Sequence, residues 1–462
     1  MGAPHKMAGE TYKVADYLAT SRSQQLPADV VDKMKLLALD TIGCGLLGSR
    51  MPWTQRLIDT LQATEQPGPA HVWGTEHHFS AKNTAMVNGA SIHGFELDDV
   101  GAGGHHGSVT MSVASAIVES GVQVSGKDLM TAIVTGIETA ARVSQCVGRV
   151  PHVTCGFHGP GLFGTFAAVG TASSLMQLTR EQAVHAIGNA AQRAASLMGT
   201  HHGGMGKRLL AGQAAYSGLF AAELAAHGFT NVDNIFECGY GSFPSAFSGA
   251  RDTFDLTKLY EGFGEEWLSR GVNFKVWACR IPIHPSLEAV KKLRREHTLA
   301  PDEIEKVVVK LPQGSFRAVG FPYKPTTITS AQLNLQYCLA IMLLENDVFI
   351  DQFTEEKTGS PQVLDMIRRI EVTYDPELDS GAHGLMSNQT DVNVTLRDGT
   401  ELHATGNQRG TLGDPVTLDE IVAKFRKTTR DTLNQSEADQ IIEMCTRLDE
   451  LDDVAPLIAL LN

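Results

Sequence analysis

The chain lacks the features that mark nucleic-acid-binding, secreted and membrane proteins. It carries no block of lysine and arginine, and its formal net charge is −14. Because nucleic acids and anionic membrane surfaces bind basic faces, we expect neither as a partner. The N-terminal residues contain no apolar segment typical of a secretory signal, and no apolar run reaches the roughly 18 residues that suggest a membrane span. We therefore expect a cytoplasmic protein, or one of the mitochondrial matrix if the source is eukaryotic.

Paired cysteines and several short catalytic motifs are also missing. The seven cysteines are scattered and never spaced Cys-x-x-Cys, which argues against a disulfide framework and against a zinc ribbon. Neither Gly-x-Ser-x-Gly nor His-Glu-x-x-His occurs, so serine hydrolases and zincins have no support. One Gly-x-Gly-x-x-Gly runs from Gly159 to Gly164. No convincing strand precedes it, and it does not indicate a dinucleotide site.

The first 270 residues have the pattern of buried helices. Residues 125–148 and 211–228 are rich in Ala, Gly and Ser and apolar around most of a helical circumference. Ser125, and Thr179 with Gln182 three residues later, are typical of helix starts. Small side chains let helix axes approach closely, so this pattern predicts a tightly packed all-helical domain.

The pattern changes after about residue 271. Branched residues in Glu303–Pro312 and Arg368–Asp375 predict two strands. An alternating stretch on both sides of Asp398-Gly399 predicts a hairpin. Helical segments lie between these strands, and the chain becomes helical again towards its C-terminus. We therefore predict a mainly α fold, with a large all-helical domain built from both chain ends (1–270 and 405–462) and a smaller α+β lid domain (271–404).

The densest group of chemically active residues is HGFELDDVGAGGHHGSV, from His93 to Val109. A phosphate loop is the weakest interpretation, because the Lys-Ser/Thr of a P-loop is missing. The pairs Asp98-Asp99 and His105-His106 could ligate a metal, although no His-x-His or His-x-x-x-His spacing occurs. An acid–base site would use a histidine oriented by the neighbouring carboxylates. A capped loop without catalytic function is the structural alternative.

Further segments place basic residues beside helix starts. His158 precedes a glycine-rich helix start, where free N–H groups favour an anion. Lys207 and Arg208 open a buried helix, a position that disfavours cations unless a carboxylate or a shifted lysine pKa explains them. Arg280 is suited to bidentate carboxylate binding, and Tyr337 could offer a phenol. The alternatives are a plain loop, outward-pointing surface cations, an inter-domain salt bridge and an ordinary core tyrosine.

Several of these motifs occur in the order typical of one family. VNGASIHGFELDD, GFHGPGLFGTFAA, GKRLLAGQAAYSGLFAAELA, CRIPIHP and LNLQYCLAIML follow one another along the chain. From about Val14 to its end, the sequence resembles the 2-methylcitrate dehydratase (MmgE/PrpD) family, which includes cis-aconitate decarboxylase and iminodisuccinate epimerase. The resemblance implies a homodimer, a helical domain with an inserted α+β lid, an active site in the cleft between them, and no metal or organic cofactor.

The decarboxylase branch of that family implies a set of site residues, and this chain departs from the pattern of that branch at three positions. Its histidines correspond to His106, His158 and His284, its lysine to Lys207, its tyrosine to Tyr337, and its basic residue before the lid histidine to Arg280. Glu96 stands where that branch has an aspartate, Val100 where it has a threonine, and Gly107 where it has the proline of His-Pro-Ser. The frame of the site is therefore kept, while the wall that faces the substrate differs.

The residues and the resemblance together lead us to expect a cofactor-independent lyase, either a dehydratase or a decarboxylase. Its substrate would be a small di- or tricarboxylate of the methylcitrate or cis-aconitate type. His106 would be the principal acid–base group, oriented by Asp98 or Asp99, while Lys207 and His158 would bind carboxylate or relay a second proton. The expected substrate contacts are Glu96, Arg280, His284 and Tyr337. Two alternatives remain open: an epimerase or isomerase of an iminodisuccinate-like dicarboxylate, and a metal-dependent hydrolase.

Overall fold

A computed structural model describes residues 9–148, 155–202, 204–249, 253–379 and 389–462. The described chain divides into two compact units. The first takes in the described parts of 1–201, 205–273 and 417–462, and the second those of 202–204 and 274–416. The fold is mainly α with a smaller α+β part, so the predicted fold class is confirmed.

The first unit is built from helices and two short strand pairs. Its helices up to residue 273 are α1 (Glu10–Thr20), α2 (Ala28–Ser49), α3 (Pro52–Thr64), α4 (Ala81–Gly94), α5 (His106–Glu119), α6 (Gly126–Val147), α7 (Gly159–Leu175), α8 (Arg180–Ala191), α9 (Gly206–Ala226) and α10 (Phe243–Phe247). The antiparallel strand pairs are β1 (Ala70–His71) with β2 (His78–Phe79), and β3 (Val100–Gly101) with β4 (Val272–Asn273).

Glycines let the buried helices of this unit meet at the backbone. Gly89 on α4 lies against Gly212 on α9, and a Cβ added at Gly212 would collide with the carbonyl oxygen of Met86. Gly136 on α6 approaches the backbone of α7 at Ala167 in the same way. The small-residue pattern of the sequence is thus a condition of this packing. The crossing at Gly212 also brings the start of α9 beside the end of α4.

The second unit carries a four-stranded sheet. Its strands are β5 (Ile304–Leu311), β6 (Ile370–Tyr374), β7 (Gln389–Leu396) and β8 (Glu401–Asn407). The strand order is β6-β5-β7-β8, with β5 and β6 parallel and the other pairs antiparallel. The predicted strands and hairpin are confirmed, and Gly399 in the turn has a φ of 86° that favours glycine. β8 ends at Asn407, beyond residue 404 where the lid was expected to end.

Along the chain, helices of the second unit precede and separate the strands of this sheet, and the chain then returns to the first unit. The second unit contains α11 (His284–Glu296), α12 (Gln313–Val319), α13 (Ile328–Gln332), α14 (Leu335–Glu345), α15 (Glu355–Thr358) and α16 (Pro361–Arg368). The first unit is completed by α17 (Leu418–Thr429), α18 (Gln435–Thr446) and α19 (Ala455–Ala459). Within the described ranges, no helix is both long enough and apolar enough to cross a membrane.

α17 joins the C-terminal end of the chain to an early part of the first unit. The Nζ atom of Lys424 lies 2.5 Å from the Asp40 carboxylate on α2. The same atom donates to the carbonyl oxygen of Leu97 at 2.7 Å. Leu97 belongs to the loop between α4 and α5, which carries most of the residues discussed next.

Candidate active site

Seven polar side chains of the first unit form a group that we call the polar cluster. They come from the end of α4, the following loop, and the starts of α7 and α9. Charged side chains are almost never fully buried unless they are paired, and here each buried charge has a partner. The members of the polar cluster are His93, Glu96, Asp98, His105, His158, Lys207 and Arg208.

Glu96 neutralises the two cations that open α9. Its Oε1 atom accepts hydrogen bonds from Lys207 Nζ and, at 3.3 Å, from Arg208 Nη1. These bonds explain why α9 tolerates cations at an end where the helix dipole disfavours them. Glu96 has a φ of 58°, in the left-handed region. Such backbone strain persists where surrounding contacts hold the residue.

Arg208 is held by an aromatic ring as well as by Glu96. Its guanidinium lies 4.9 Å from the centre of the Trp53 ring, a cation–π contact. Burial lowers the pKa of Arg208 from its ordinary value, although the negative charge of Glu96 opposes that shift. Arg208 therefore stays in place as a buried cation.

His93, Asp98 and His105 form the second part of the polar cluster. The Nδ1 atoms of His93 and His105 lie 2.9 and 3.2 Å from the same oxygen, Asp98 Oδ2. On the opposite side of its ring, His93 Nε2 lies 3.0 Å from Lys207 Nζ. Hydrogen bonds therefore connect His105 with Lys207 through Asp98 and His93.

Burial and neighbouring charges set the protonation states of His93 and Asp98. Burial and the positive charge of Lys207 lower the pKa of His93 to about 4, so its imidazole is neutral at pH 7. Burial alone would raise the pKa of Asp98, but the imidazoles of His105 and His93 lower it well below its usual range. Asp98 is consequently an ionised acceptor between two imidazoles.

Asp99 and His106 face the backbone instead of the polar cluster. The Asp99 carboxylate accepts the N–H groups of His106 at 2.8 Å and Gly107 at 2.9 Å, which caps α5. The His106 ring places Nε2 3.1 Å from the carbonyl oxygen of Ala102. Burial lowers the pKa of His106 to about 4, whereas burial and the charge of Asp98 raise that of Asp99 to about 7.

In the structure it is the ring of His105, and not that of the predicted His106, that contacts the carboxylate of Asp98. His105 is the residue that precedes α5, while His106 begins it. Adjacent residues at a helix start point in different directions, and spacing from the aspartates does not tell them apart. His93 was missed as well, because in the sequence it looks like the last turn of a buried helix.

His158 lies where the sequence predicted it, at the start of α7. Its Nδ1 atom accepts the Gly161 N–H at 3.4 Å, so the neutral ring carries its proton on Nε2. The ring centre is 6.3 Å from that of His93 and 5.0 Å from that of His201. Burial and the charge of Lys207 lower the pKa of His158 well below its ordinary value.

Arg280, His284 and Tyr337 belong to the second unit. Arg280 donates from Nη1 to the carbonyl oxygen of Ala318 at 2.9 Å, and the buried His284 begins α11. The Tyr337 hydroxyl donates to the carbonyl oxygen of Gln352 at 2.6 Å, which uses its proton within this unit. That these three residues contact a substrate stays a prediction.

One group in the described part of the chain has the composition of a metal-ligand set. Ligand atoms of His93, Asp98 and His105 all lie within 4.8 Å of one another. This group shares only Asp98 and His105 with the four residues considered for a metal in the sequence, because Asp99 and His106 contact backbone groups. In the structure, both imidazoles are hydrogen-bonded to the carboxylate that would join them in binding a metal.

The fold and the polar cluster together define a mainly helical protein with a buried group of acidic and basic side chains. Comparison with known families narrows this class. A model of the MmgE/PrpD N-terminal domain matches residues 12–255, and a model of the MmgE/PrpD C-terminal domain matches residues 277–450. The chain belongs to the MmgE/PrpD family.

Curated relatives align with nearly the whole chain. Cis-aconitate decarboxylase of Aspergillus terreus is 26% identical over 473 residues, which cover 98% of this chain and 96% of the relative. Cis-aconitate decarboxylase-like protein oryM of Aspergillus oryzae is 29% identical over 470 residues, covering 98% and 97%. Mitochondrial 2-methylcitrate dehydratase of Yarrowia lipolytica is 21% identical over 467 residues, covering 93% and 85%. The names of these relatives are those of lyases or of lyase-like proteins.

Proposed function

We propose that this protein is a cofactor-independent lyase for a small di- or tricarboxylate of the cis-aconitate or methylcitrate type. The observation that carries the proposal is the buried chain of hydrogen bonds from His105 through Asp98 and His93 to Lys207. It combines an acid–base imidazole with a cation that can hold a carboxylate. Decarboxylation is the reaction we favour, since the relatives named cis-aconitate decarboxylase align along almost their full length.

Recognition of the substrate follows from the contacts of Glu96. Lys207 and Arg208 already hold one carboxylate, that of Glu96, in a buried place. A substrate carboxylate has the same charge and the same acceptor geometry. It would bind at the start of α9 by sharing or replacing the contacts of Glu96.

His105 is the acid–base group that we assign to the reaction. Its Nδ1 lies 2.6 Å from the carbonyl oxygen of Asp99 and 3.2 Å from Asp98 Oδ2, which places the Nδ1 proton between two acceptors and leaves Nε2 for proton transfer. The His105 side chain is 11% exposed, whereas those of His93 and Asp98 are at most 1% exposed. His105 is therefore the member of this group with a path for proton exchange.

Decarboxylation requires one proton per turnover. The bond between the substrate carbon and its leaving carboxylate breaks, CO₂ departs, and the electron pair remains on that carbon. A neighbouring conjugated carboxylate, held by Lys207 and Arg208, delocalises the resulting negative charge. Protonated His105 then gives its Nε2 proton to the carbon and takes another from water.

A panel of carboxylic acids followed by NMR in D₂O tests the proposal. Cis-aconitate, 2-methylcitrate and an iminodisuccinate are incubated with protein that has been treated with a chelator. Release of CO₂ together with one deuterium on the product carbon that lost its carboxylate supports decarboxylation. A new alkene formed with loss of water supports a dehydratase. Deuterium in unfragmented substrate would instead indicate an epimerase. Activity that disappears on chelation and returns with a divalent metal would overturn the cofactor-independent mechanism.

A further inference from the structure

His93 occupies the centre of the polar cluster without a role in the reaction proposed above. Its side chain is fully buried, and each ring nitrogen faces one functional group. We propose that His93 is a positioning residue that fixes the Lys207 ammonium at the start of α9. The inference rests on the proposed function for its effect on catalysis, while its hydrogen bonds can be tested without a substrate.

The tautomer of His93 follows from its two partners. A lysine ammonium has only donors, so Nε2 of His93 must accept the hydrogen bond from Lys207. The ring proton is then on Nδ1, where it faces the ionised Asp98 Oδ2 at 2.9 Å. A doubly protonated ring would place an N–H against the ammonium, and a ring with its proton on Nε2 would lose both bonds. Neutral His93 with Nδ1–H is the form that satisfies both partners.

This bond keeps Lys207 in place when its other partner changes. Glu96 and His93 both accept from Lys207 Nζ, and a substrate carboxylate would compete with Glu96 for that atom. His93 carries no charge and lies on α4, whose backbone meets α9 at Gly89 and Gly212. His93 can therefore hold the Lys207 ammonium without neutralising the positive charge that attracts the substrate carboxylate.

His93 also fixes the separation of the two functional ends. Asp98 Oδ2 is shared by His93 and His105, so Lys207 and His105 are tied to the same carboxylate. A displacement of Lys207 would move the bound substrate relative to the proton donor. A misplacement of about 1 Å costs on the order of 100-fold in rate.

Two variants separate the halves of this hydrogen-bond pattern. In His93→Asn the amide nitrogen can reach Asp98 from the position of Nδ1, but no atom at the position of Nε2 accepts from Lys207, which keeps its bond to Glu96. In His93→Gln the longer side chain can bring its amide oxygen to the position of Nε2 and accept from Lys207. We expect H93N to raise KM and to lower kcat/KM by about 10- to 100-fold, and H93Q to retain most of the activity.

The split between KM and kcat identifies a positioning role. A purely structural defect would lower the amount of active protein, and hence kcat, while KM stayed unchanged. Thermal unfolding of each variant checks that the fold is retained. A wild-type KM in H93N, or equal losses in H93N and H93Q, would overturn the positioning role while leaving the lyase proposal intact.

A second measurement is independent of activity. With ¹⁵N-labelled histidine, wild-type His93 should show a low-field Nδ1 proton and an unprotonated Nε2, assigned by the loss of both signals in H93Q. Lys207→Met should shift the Nε2 resonance and leave the Nδ1 proton in place. A proton found on Nε2 would exclude the proposed bond to Lys207, whatever the protein turns over. If the protein shows the expected tautomer but converts none of the carboxylates, the bond from Lys207 to His93 stands and the lyase function is wrong.

Discussion

His105 and His106 are neighbours in the chain but have different surroundings. His105 approaches the ionised Asp98 at the edge of the polar cluster, whereas the His106 ring is buried against the backbone at Ala102. Burial lowers the pKa of His106 to about 4, so its imidazole is neutral at pH 7, and its Nε2–H faces the carbonyl oxygen of Ala102. The acid–base role that we propose for His105 rests on these surroundings.

Paired substitutions of the two histidines distinguish His105, the acid–base group that we propose from the structure, from His106, the residue that the family resemblance implies. We expect His105→Gln to lower kcat by about 100-fold or more, because general acid–base groups contribute roughly 10²–10⁴-fold. His106→Gln should keep turnover within about 10-fold of wild type, since its ring is hydrogen-bonded to the backbone carbonyl of Ala102. Steady-state kinetics of the two variants, with the substrate identified by NMR, measure both changes in turnover. The opposite ranking would restore His106 as the catalytic histidine.

Glu96 is the charge on which two buried cations depend. Glu96→Gln leaves Lys207 and Arg208 without their shared carboxylate, and we expect a loss of about 3–5 kcal/mol in the free energy of unfolding. Urea denaturation measures this loss, and Glu65→Gln on the surface serves as the control. A dicarboxylate ligand should raise the melting temperature of E96Q more than that of wild type, because it supplies the missing charge. Equal shifts would argue against carboxylate binding at this position.

At the scale of elements, the contact between α4 and α9 depends on a missing side chain. Gly212→Ala would place a methyl group against the backbone of α4, and overpacking of this kind costs about 1–3 kcal/mol. Gly206 lies on the same helix, and a Cβ added there would meet the Thr200 side chain at an ordinary contact distance of 3.7 Å, so Gly206→Ala should leave stability almost unchanged. Urea midpoints of the two variants compare them. An unchanged urea midpoint in G212A would show that α4 and α9 can move apart without a loss of stability.

Local signals were sufficient to predict the elements. The caps at Ser125 and Thr179 are confirmed as side chains that accept the backbone N–H groups of Asp128 and Gln182, and the hairpin at Gly399 is confirmed by the pairing of β7 with β8. Such features are decided by a few neighbouring residues. Boundaries were less certain, since β8 continues beyond the expected end of the lid.

The site required information that local sequence does not hold. Lys207 and His158 could be noted because each is unusual at a helix start. His93 could not, because its two partners come from the loop after α4 and from α9. The choice between His105 and His106 depended on a one-residue difference in the start of α5, a boundary that sequence patterns locate poorly.

At the scale of the whole molecule, buried titratable groups make folding depend on pH. Burial lowers the pKa of His93 and of His106 to about 4, and lowers that of His158 well below its ordinary value. Between about pH 6.5 and pH 4 the unfolded chain binds protons at these histidines that the folded chain does not, so stability falls as the pH falls. Asp99, with its pKa raised to about 7, works in the opposite direction by one proton.

The slope of stability against pH tests this balance. Three histidines outweigh one carboxyl, so these four groups should remove roughly 2–3 kcal/mol per pH unit on acidification. Urea denaturation at pH 7, 6 and 5 gives the slope. His106→Gln should flatten it by about one proton, while His297→Gln, on the surface, should not. An unchanged slope in H106Q would mean that His106 is protonated in the folded protein.

The bond from Lys424 to Leu97 has a consequence for the order in which the protein is made. These residues are separated by 327 positions, and at about 5–20 residues per second a ribosome needs tens of seconds to travel between them. During that interval the loop after α4 has emerged, but the α17 lysine that fixes it has not yet been synthesised. The loop after α4 can therefore be completed only near the end of translation, after the whole α+β unit has been made.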